Sequence, residues 1–394
     1  MEKITKLIGG RVALNANHSE RIDLAIHRGR LLPLGDSVAD SPQTTRYDLS
    51  GHLILPGLVN AHDHLEFNLF PRLGRGPWEN ASQWAADIYR PHASPVKEHL
   101  RIPKRIRLIW GGIKNLLSGV TTVAHHNSWE PSTFTGMFPV RVVRRYGWAH
   151  SIEFSPDLAD RCRATPLRWP FIIHAAEGTG QNERAEVTRL DEMGVLSRRT
   201  LLVHAVAAGP AELNVLRRRG TSIVWCPSSN LFTLGRTLSP NAFQSGVVFA
   251  LGTDSAITGE GDLIDEMRIA RTVAGQTAQD VYPLVTTHAA KALRLTAGQG
   301  TIRERGVADL VVVKDTGQTP AEALSDLRPE LVLIGGRIML ASQGFAELAG
   351  GDFHLVGVEG RGCLLVRADI PRLRAAAAES LGTDIRLAGK RLCA

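Results

Sequence analysis

The chain has 394 residues, 43% hydrophobic and 22% charged, a composition that excludes a disordered chain and a length that suits two or three domains or one large α/β barrel with additions. Its net charge of +7 comes from short clusters such as Arg217-Arg218-Arg219 scattered among acidic residues, without interleaved aromatics, which argues against a nucleic-acid footprint. Four dispersed cysteines (Cys162, Cys226, Cys363, Cys393) with no Cys-x-x-Cys spacing argue against a disulfide framework and a thiolate zinc site. No window approaches about 18 apolar residues and Met1–Ile8 lacks a signal-type apolar stretch, so a cytoplasmic protein without a membrane segment is expected.

In chain order, the first fifty residues read as short strands, among them Arg11-Val12-Ala13-Leu14 and Ile22–Ile26, with a break at Gly29-Arg30. From about 52 to 295 apolar strands alternate with helical stretches, the rhythm of a parallel sheet or barrel. The clear strands are Leu53-Ile54-Leu55, Val120–Val123, Phe171-Ile172-Ile173, Leu201-Leu202-Val203, Ser222–Trp225 and Val247–Leu251, with one or two more in 140–152. Helices are predicted over Ala185–Met193 and over Ala211–Arg219, the latter ended by Gly220. Strand-like runs return at Gly306–Val313 and Leu331–Gly336. The expected division is 1–51 as one part of a β-sandwich, 52–298 as the barrel, and 299–394 as the other part of the sandwich plus a tail. The fourth barrel strand is hard to find.

Nearly every clear strand of the middle region runs into a metal-capable residue. His62, Asp63 and His64 follow the first, His174 and Glu177 follow Phe171–Ile173, His204 follows Leu201–Val203, and Asp254 follows Leu251-Gly252-Thr253. Parallel barrel strands bring their C-terminal ends to one rim, so residues about 190 positions apart can converge there. Side chains alternate along a strand, so His62 and His64 share a face and Asp63 takes the other. Three imidazoles and one carboxylate suit Zn²⁺, with Fe²⁺ also admissible, and such an ion lowers the pKa of bound water toward about 7.

Pro56-Gly57-Leu58-Val59-Asn60-Ala61-His62-Asp63-His64, His174-Ala175-Ala176-Glu177, Val203-His204, Trp225-Cys226-Pro227-Ser228-Ser229-Asn230, Leu251-Gly252-Thr253-Asp254-Ser255 and Gly306–Leu310 together resemble the amidohydrolase superfamily. Within it they resemble the aminohydrolase branch of heterocycle deaminases, chlorohydrolases and cytosine-deaminase-like enzymes. The resemblance runs to about residue 340 and implies an α/β fold: a distorted (β/α)8 TIM-type barrel with a small β-sandwich built from both chain ends. It also implies that His62, His64, His174 and Asp254 hold one divalent ion, zinc ahead of iron, and that Glu177 and His204 serve catalysis with Asp254. Two-metal relatives bridge their ions with a carboxylated lysine; no lysine lies between Lys114 and Lys291, so one ion is expected.

The expected reaction is hydrolytic deamination of a small nitrogen heterocycle of purine, pyrimidine, pterin or triazine type. Glu177 would protonate a ring nitrogen and pass protons to the departing ammonia, and His204 would orient the attacked carbon. Hydrolysis of an amide, cyclic imide or lactam on the same scaffold is the nearest alternative, and a non-catalytic binding or assembly barrel the next. His126, His150 and Asn230 are candidates for contact with substrate, as are Trp78 and Trp84 for stacking. The expected partner is a small-molecule substrate, with a homodimer left open and neither nucleic acid nor membrane involved.

Overall fold

The computed structural model describes residues 4–35, 42–259, 261–360 and 362–393; residues 1–3 and 394, the outer ends of the expected sandwich parts, lie outside them. Eight short strands with C-terminal ends on one side make the barrel: β1 (Leu58–Asp63), β2 (Val120–His125), β3 (Arg141–Val142), β4 (Gly147–Ala149), β5 (Phe171–Ala175), β6 (Thr200–His204), β7 (Ser222–Trp225) and β8 (Phe249–Leu251). β1 to β3 pair in parallel as one sheet and β4 to β8 as another. The seam between β8 and β1 carries a single parallel bridge, Asp63 to Asp254. Between β3 and β4 the described residues show no ladder. Here lies the strand that was hard to find: β3 and β4 are two and three residues long, too short to produce a periodic signal.

β1, β2, β5 and β6 are buried at every position, and in β5 and β6 this burial shows in the sequence as the apolar runs Phe171-Ile172-Ile173 and Leu201-Leu202-Val203. The helices around them turn one apolar stripe inward. In Pro210–Arg219, Leu213 and Leu216 are buried, Glu212 accepts from the Gly209 N–H at 2.9 Å, and Gly220 closes the helix at φ 72°. The helix expected from Ala185 begins earlier, at Gln181, because the Glu183 carboxylate accepts from the Gly180 N–H at 3.1 Å.

The run Leu53-Ile54-Leu55 is a strand but not the first of the barrel. As His52–Pro56 it pairs antiparallel with Leu310–Lys314 and parallel with Arg11–Ala13, inside a ten-stranded sheet. The chain then turns at Gly57, where a Cβ would collide with the Thr121 side chain, and enters the barrel at Leu58. Both segments are buried on two faces, so periodicity could not separate them. Ile4–Ile8, Leu24–His27, Arg30–Leu31 and Thr45–Asp48 form a four-stranded sheet whose Leu7, Leu24 and Ile26 share a core with Ile54, Val312 and Leu333 of the larger one.

Beyond residue 340 the strands His354–Val358, Gly362–Val366, Arg386–Leu387 and Lys390–Cys393 extend the ten-stranded sheet. This tail also touches the barrel: the Trp110 indole N–H donates to the Leu373 carbonyl at 3.4 Å, and the Ala388 N–H to the Asn68 carbonyl at 3.0 Å. Among the described residues no helix is long and apolar enough to cross a membrane.

Candidate metal centre and active site

At the rim formed by the strand C-termini the backbone bends sharply. Ala176, His204, Ala205 and Asp254 adopt φ of 52°, 73°, 53° and 52°, left-handed values that cost non-glycine residues roughly 1–3 kcal/mol each. Packing on every side holds these turns, and they aim the side chains into the barrel mouth.

Four of the expected residues meet at one point. The His174 Nε2 lies 3.3 Å from the His62 Nε2, and Asp254 Oδ1 lies 3.5 Å from the His62 Nε2 and 3.6 Å from the His64 Nε2. Asp254 is fixed from behind, its Oδ2 accepting from the Ser229 hydroxyl at 2.7 Å and the Thr258 hydroxyl at 2.8 Å, so Oδ1 is left for the cluster. His174 donates from Nδ1 to the His150 carbonyl at 3.0 Å, which leaves a lone pair on Nε2. A ring nitrogen of His126 belongs to the same group: those of His62, His64, His126 and His174 all lie within 4.8 Å of one another.

Electrostatics point the same way. Burial keeps His62, His126 and His174 neutral, their pKa values lowered, and takes His64 down to about 4 with help from His62. Burial opposes the charge on Asp254 too, yet the imidazoles of His62, His64 and His204 hold its carboxyl well below the usual range. The ring atoms His62 Nδ1 and His126 Nδ1 are buried without a hydrogen-bond partner. Neutral imidazoles crowded around one carboxylate oxygen, with lone pairs converging, form a donor set that fits a divalent cation.

Beside this cluster stand the expected acid and its neighbour. Glu177 Oε1 lies 3.5 Å from the His204 Nε2, and its side chain keeps 14% of its surface on the cavity. Burial, opposed by His204 and reinforced by Asp254, pushes the Glu177 carboxyl up to about 7. His204 donates from Nδ1 to the Asn230 Oδ1 at 2.7 Å, and the Asn230 amide donates to the Thr237 hydroxyl at 3.1 Å. The ring therefore turns Nε2 toward Glu177 in a defined tautomer.

The cavity over the cluster measures about 840 Å³. His64, His174, Glu177, His204 and Asp254 reach its wall, with Trp84 and Trp148 among the apolar groups around them. Of the residues expected to touch substrate, His150 lines it. His126 and Asn230 are buried behind the wall, the first among the imidazoles with its Nε2 on the Ala149 carbonyl, the second behind His204 with its Oδ1 accepting from that ring. Trp84 is on the wall with its indole N–H on the Leu73 carbonyl, whereas Trp78 packs on Phe232. Sequence reading missed Ser229 and Thr258, which hold Asp254. It also missed Asn127, which lies 2.8 Å from Glu66 and 3.3 Å from the His64 Nδ1. Ser229 stood in the sequence only as part of the Trp225–Asn230 stretch, with no role toward Asp254, and nothing assigned a role to Asn127 or Thr258.

Residues 130–339 match the amidohydrolase family model. The 5-methylthioadenosine/S-adenosylhomocysteine deaminase of Pyrococcus furiosus is 26% identical over 358 residues, covering 74% of this chain and 82% of that protein. The 5'-deoxyadenosine deaminase of Methanothermobacter thermautotrophicus is 26% identical over 370 residues, covering 79% and 85%. The fold superposes on a zinc-bound adenosine deaminase from Xanthomonas campestris with a TM-score of 0.73 at 19% identity, covering 96% of this chain and 98% of that one. It superposes equally well, at 17% identity, on the zinc complex of atrazine chlorohydrolase from Arthrobacter aurescens, covering 96% and 100%.

Proposed function

This chain belongs to the amidohydrolase family, and on that footing we propose that it hydrolytically deaminates an adenosine-type nucleoside, releasing ammonia. The observation that carries the reading is the convergence of His62, His64, His174 and Asp254 beside a glutamate whose carboxyl is pushed to about 7. Similarity to deaminases of methylthioadenosine, adenosylhomocysteine and deoxyadenosine supports the substrate class. A cavity of about 840 Å³ is ample for a nucleoside.

One divalent ion held by those four residues, zinc in our reading, would supply Lewis acidity and a water acidified toward neutrality. Asp254, clamped at Oδ2, keeps Oδ1 positioned to take a proton from the attacking water. Glu177 can carry a proton at neutral pH and give it to the ring nitrogen next to the attacked carbon; the proton Asp254 took from the water then passes to the leaving amine, and Glu177 recovers its own from the hydroxyl left on that carbon. His204, held by Asn230, steers the attacked carbon and stabilises the charge that builds there. The aromatic wall at Trp84 and Trp148 keeps bulk water off the reacting face.

The test is a screen of the metal-loaded protein on adenosine, 5'-deoxyadenosine, 5'-methylthioadenosine, triazines and cyclic imides, reading free ammonia and ring-opened product separately. Ammonia from the adenosines without ring opening is expected. Ring-opened product from the imides and none from the nucleosides would overturn the reading in favour of amide hydrolysis.

A further inference from the structure

We propose that His126 is a further protein ligand of the same ion, bound through Nδ1, so that the centre is built from four imidazoles and one carboxylate; this rests on the metal reading above. His126 follows directly on β2 and is 1% exposed. Its Nε2 lies 3.0 Å from the Ala149 carbonyl, and a ring nitrogen facing a carbonyl oxygen must carry the proton. The lone pair is therefore on Nδ1. That atom is buried, has no hydrogen-bond partner, and belongs to a ring whose centroid stands 4.3 Å from that of His174 and 5.0 Å from that of His62. A buried acceptor left unsatisfied costs about 1–3 kcal/mol, and a cation at the imidazole cluster would satisfy it.

The irregularity of the barrel explains why this donor exists. Successive carbonyls of a strand point to opposite sides. At the end of β4 the His150 carbonyl points to β5, where it accepts from His174 at both its backbone N–H and its Nδ1. The Ala149 carbonyl points to the other side, where a regular barrel would offer backbone donors from β3. No β3–β4 ladder is present among the described residues, and this carbonyl takes the His126 Nε2–H instead. Two neighbouring carbonyls thus lock two imidazoles in opposite tautomers: His174 presents Nε2 and His126 presents Nδ1. The break in the barrel and the additional ligand are one feature.

Two measurements on the purified protein loaded with Co²⁺ or Zn²⁺ test this. X-ray absorption on the wild type should count about four imidazoles, as the geometry has it, and about three in His126→Ala. In the Co²⁺ form the visible d–d bands should strengthen in the variant as the coordination number drops, and Co²⁺ affinity should fall by about tenfold or more. His126→Gln, which keeps bulk and polarity, should behave as His126→Ala does. A wild-type count of three imidazoles, which needs no variant to fold, would overturn the assignment, as would an unchanged spectrum and affinity in both variants. A wild type that takes up no divalent ion would instead remove the metal reading itself.

Discussion

Two buried polar clusters sit back to back on β1, and they differ in one respect. On one face Asp63 is saturated: it pairs with the Lys114 ammonium at 2.8 Å and accepts from Asn68 and Asn115 at 2.8 Å each and from the Thr253 hydroxyl at 3.1 Å. On the other face His62 and its neighbours leave ring nitrogens without partners and bring two Nε2 atoms to 3.3 Å. A cluster that closes on itself is a joint, and this one fastens β1 to Thr253 across a seam where no regular ladder joins β8 to β1 among the described residues. A cluster with lone pairs left over is built for something that is not protein. Strand alternation puts the two on one segment, so Asp63, between His62 and His64, positions both imidazoles.

Breaking the open cluster gives the largest expected effect on function. His174→Ala should abolish both metal uptake and turnover, while the metal-free protein loses only about 1 kcal/mol, since the one satisfied bond of that ring goes to the His150 carbonyl, which keeps the His174 backbone N–H. Metal analysis, ammonia release and urea denaturation read the three quantities. Breaking the closed cluster should do the reverse. Lys114→Met strands a buried carboxylate and should lower stability by about 3–5 kcal/mol, with the metal still bound when supplied in excess. Lys114→Met/Asp63→Asn, which removes both charges, should recover most of that loss. A Lys114→Met protein of native stability would show that the two faces do not differ as described.

The acid beside the open cluster is the next largest. Glu177→Gln should keep its metal and lose about 10²-fold in kcat. Because burial pushes the Glu177 carboxyl up to about 7 and the protonated form is the one that gives its proton away, kcat/KM should decline as pH rises through about 7. In Glu177→Gln that limb should vanish from the pH profile. An alkaline limb that survives the substitution would assign it to another group.

The members of the open cluster could be singled out in the sequence because His174 and Asp254 stand at the ends of strands that show as apolar runs, and because His-x-His fits the strand period. The closed cluster was not, since Asp63, Lys114 and Thr253 come from three elements and look like ordinary surface residues in a one-dimensional reading. The barrel as a whole was readable, but Leu53–Leu55 was placed in it wrongly: strands buried on both faces carry no signal for the sheet they join. β3 and β4 fall in the 140–152 segment where one or two strands were expected, but they are too short for their bounds to be read, and the Ala149 carbonyl that holds the His126 ring among the imidazoles was not foreseen. The tail escaped because its strands pair only with neighbours far away in sequence or with one another, extending a sheet whose other members begin at Arg11.

The smallest effect separates a residue that touches substrate from one that aims another. Asn230 is 1% exposed and spends both amide atoms on protein, accepting from His204 and donating to Thr237. Asn230→Ala frees the His204 ring to turn, so kcat should fall by about tenfold with KM nearly unchanged. Asn230→Asp restores the acceptor for the His204 Nδ1–H while giving up the bond to Thr237, and should recover much of kcat. A rise in KM without a change in kcat in Asn230→Ala would return Asn230 to the substrate, and with it the wall of the cavity would have to be redrawn around His204.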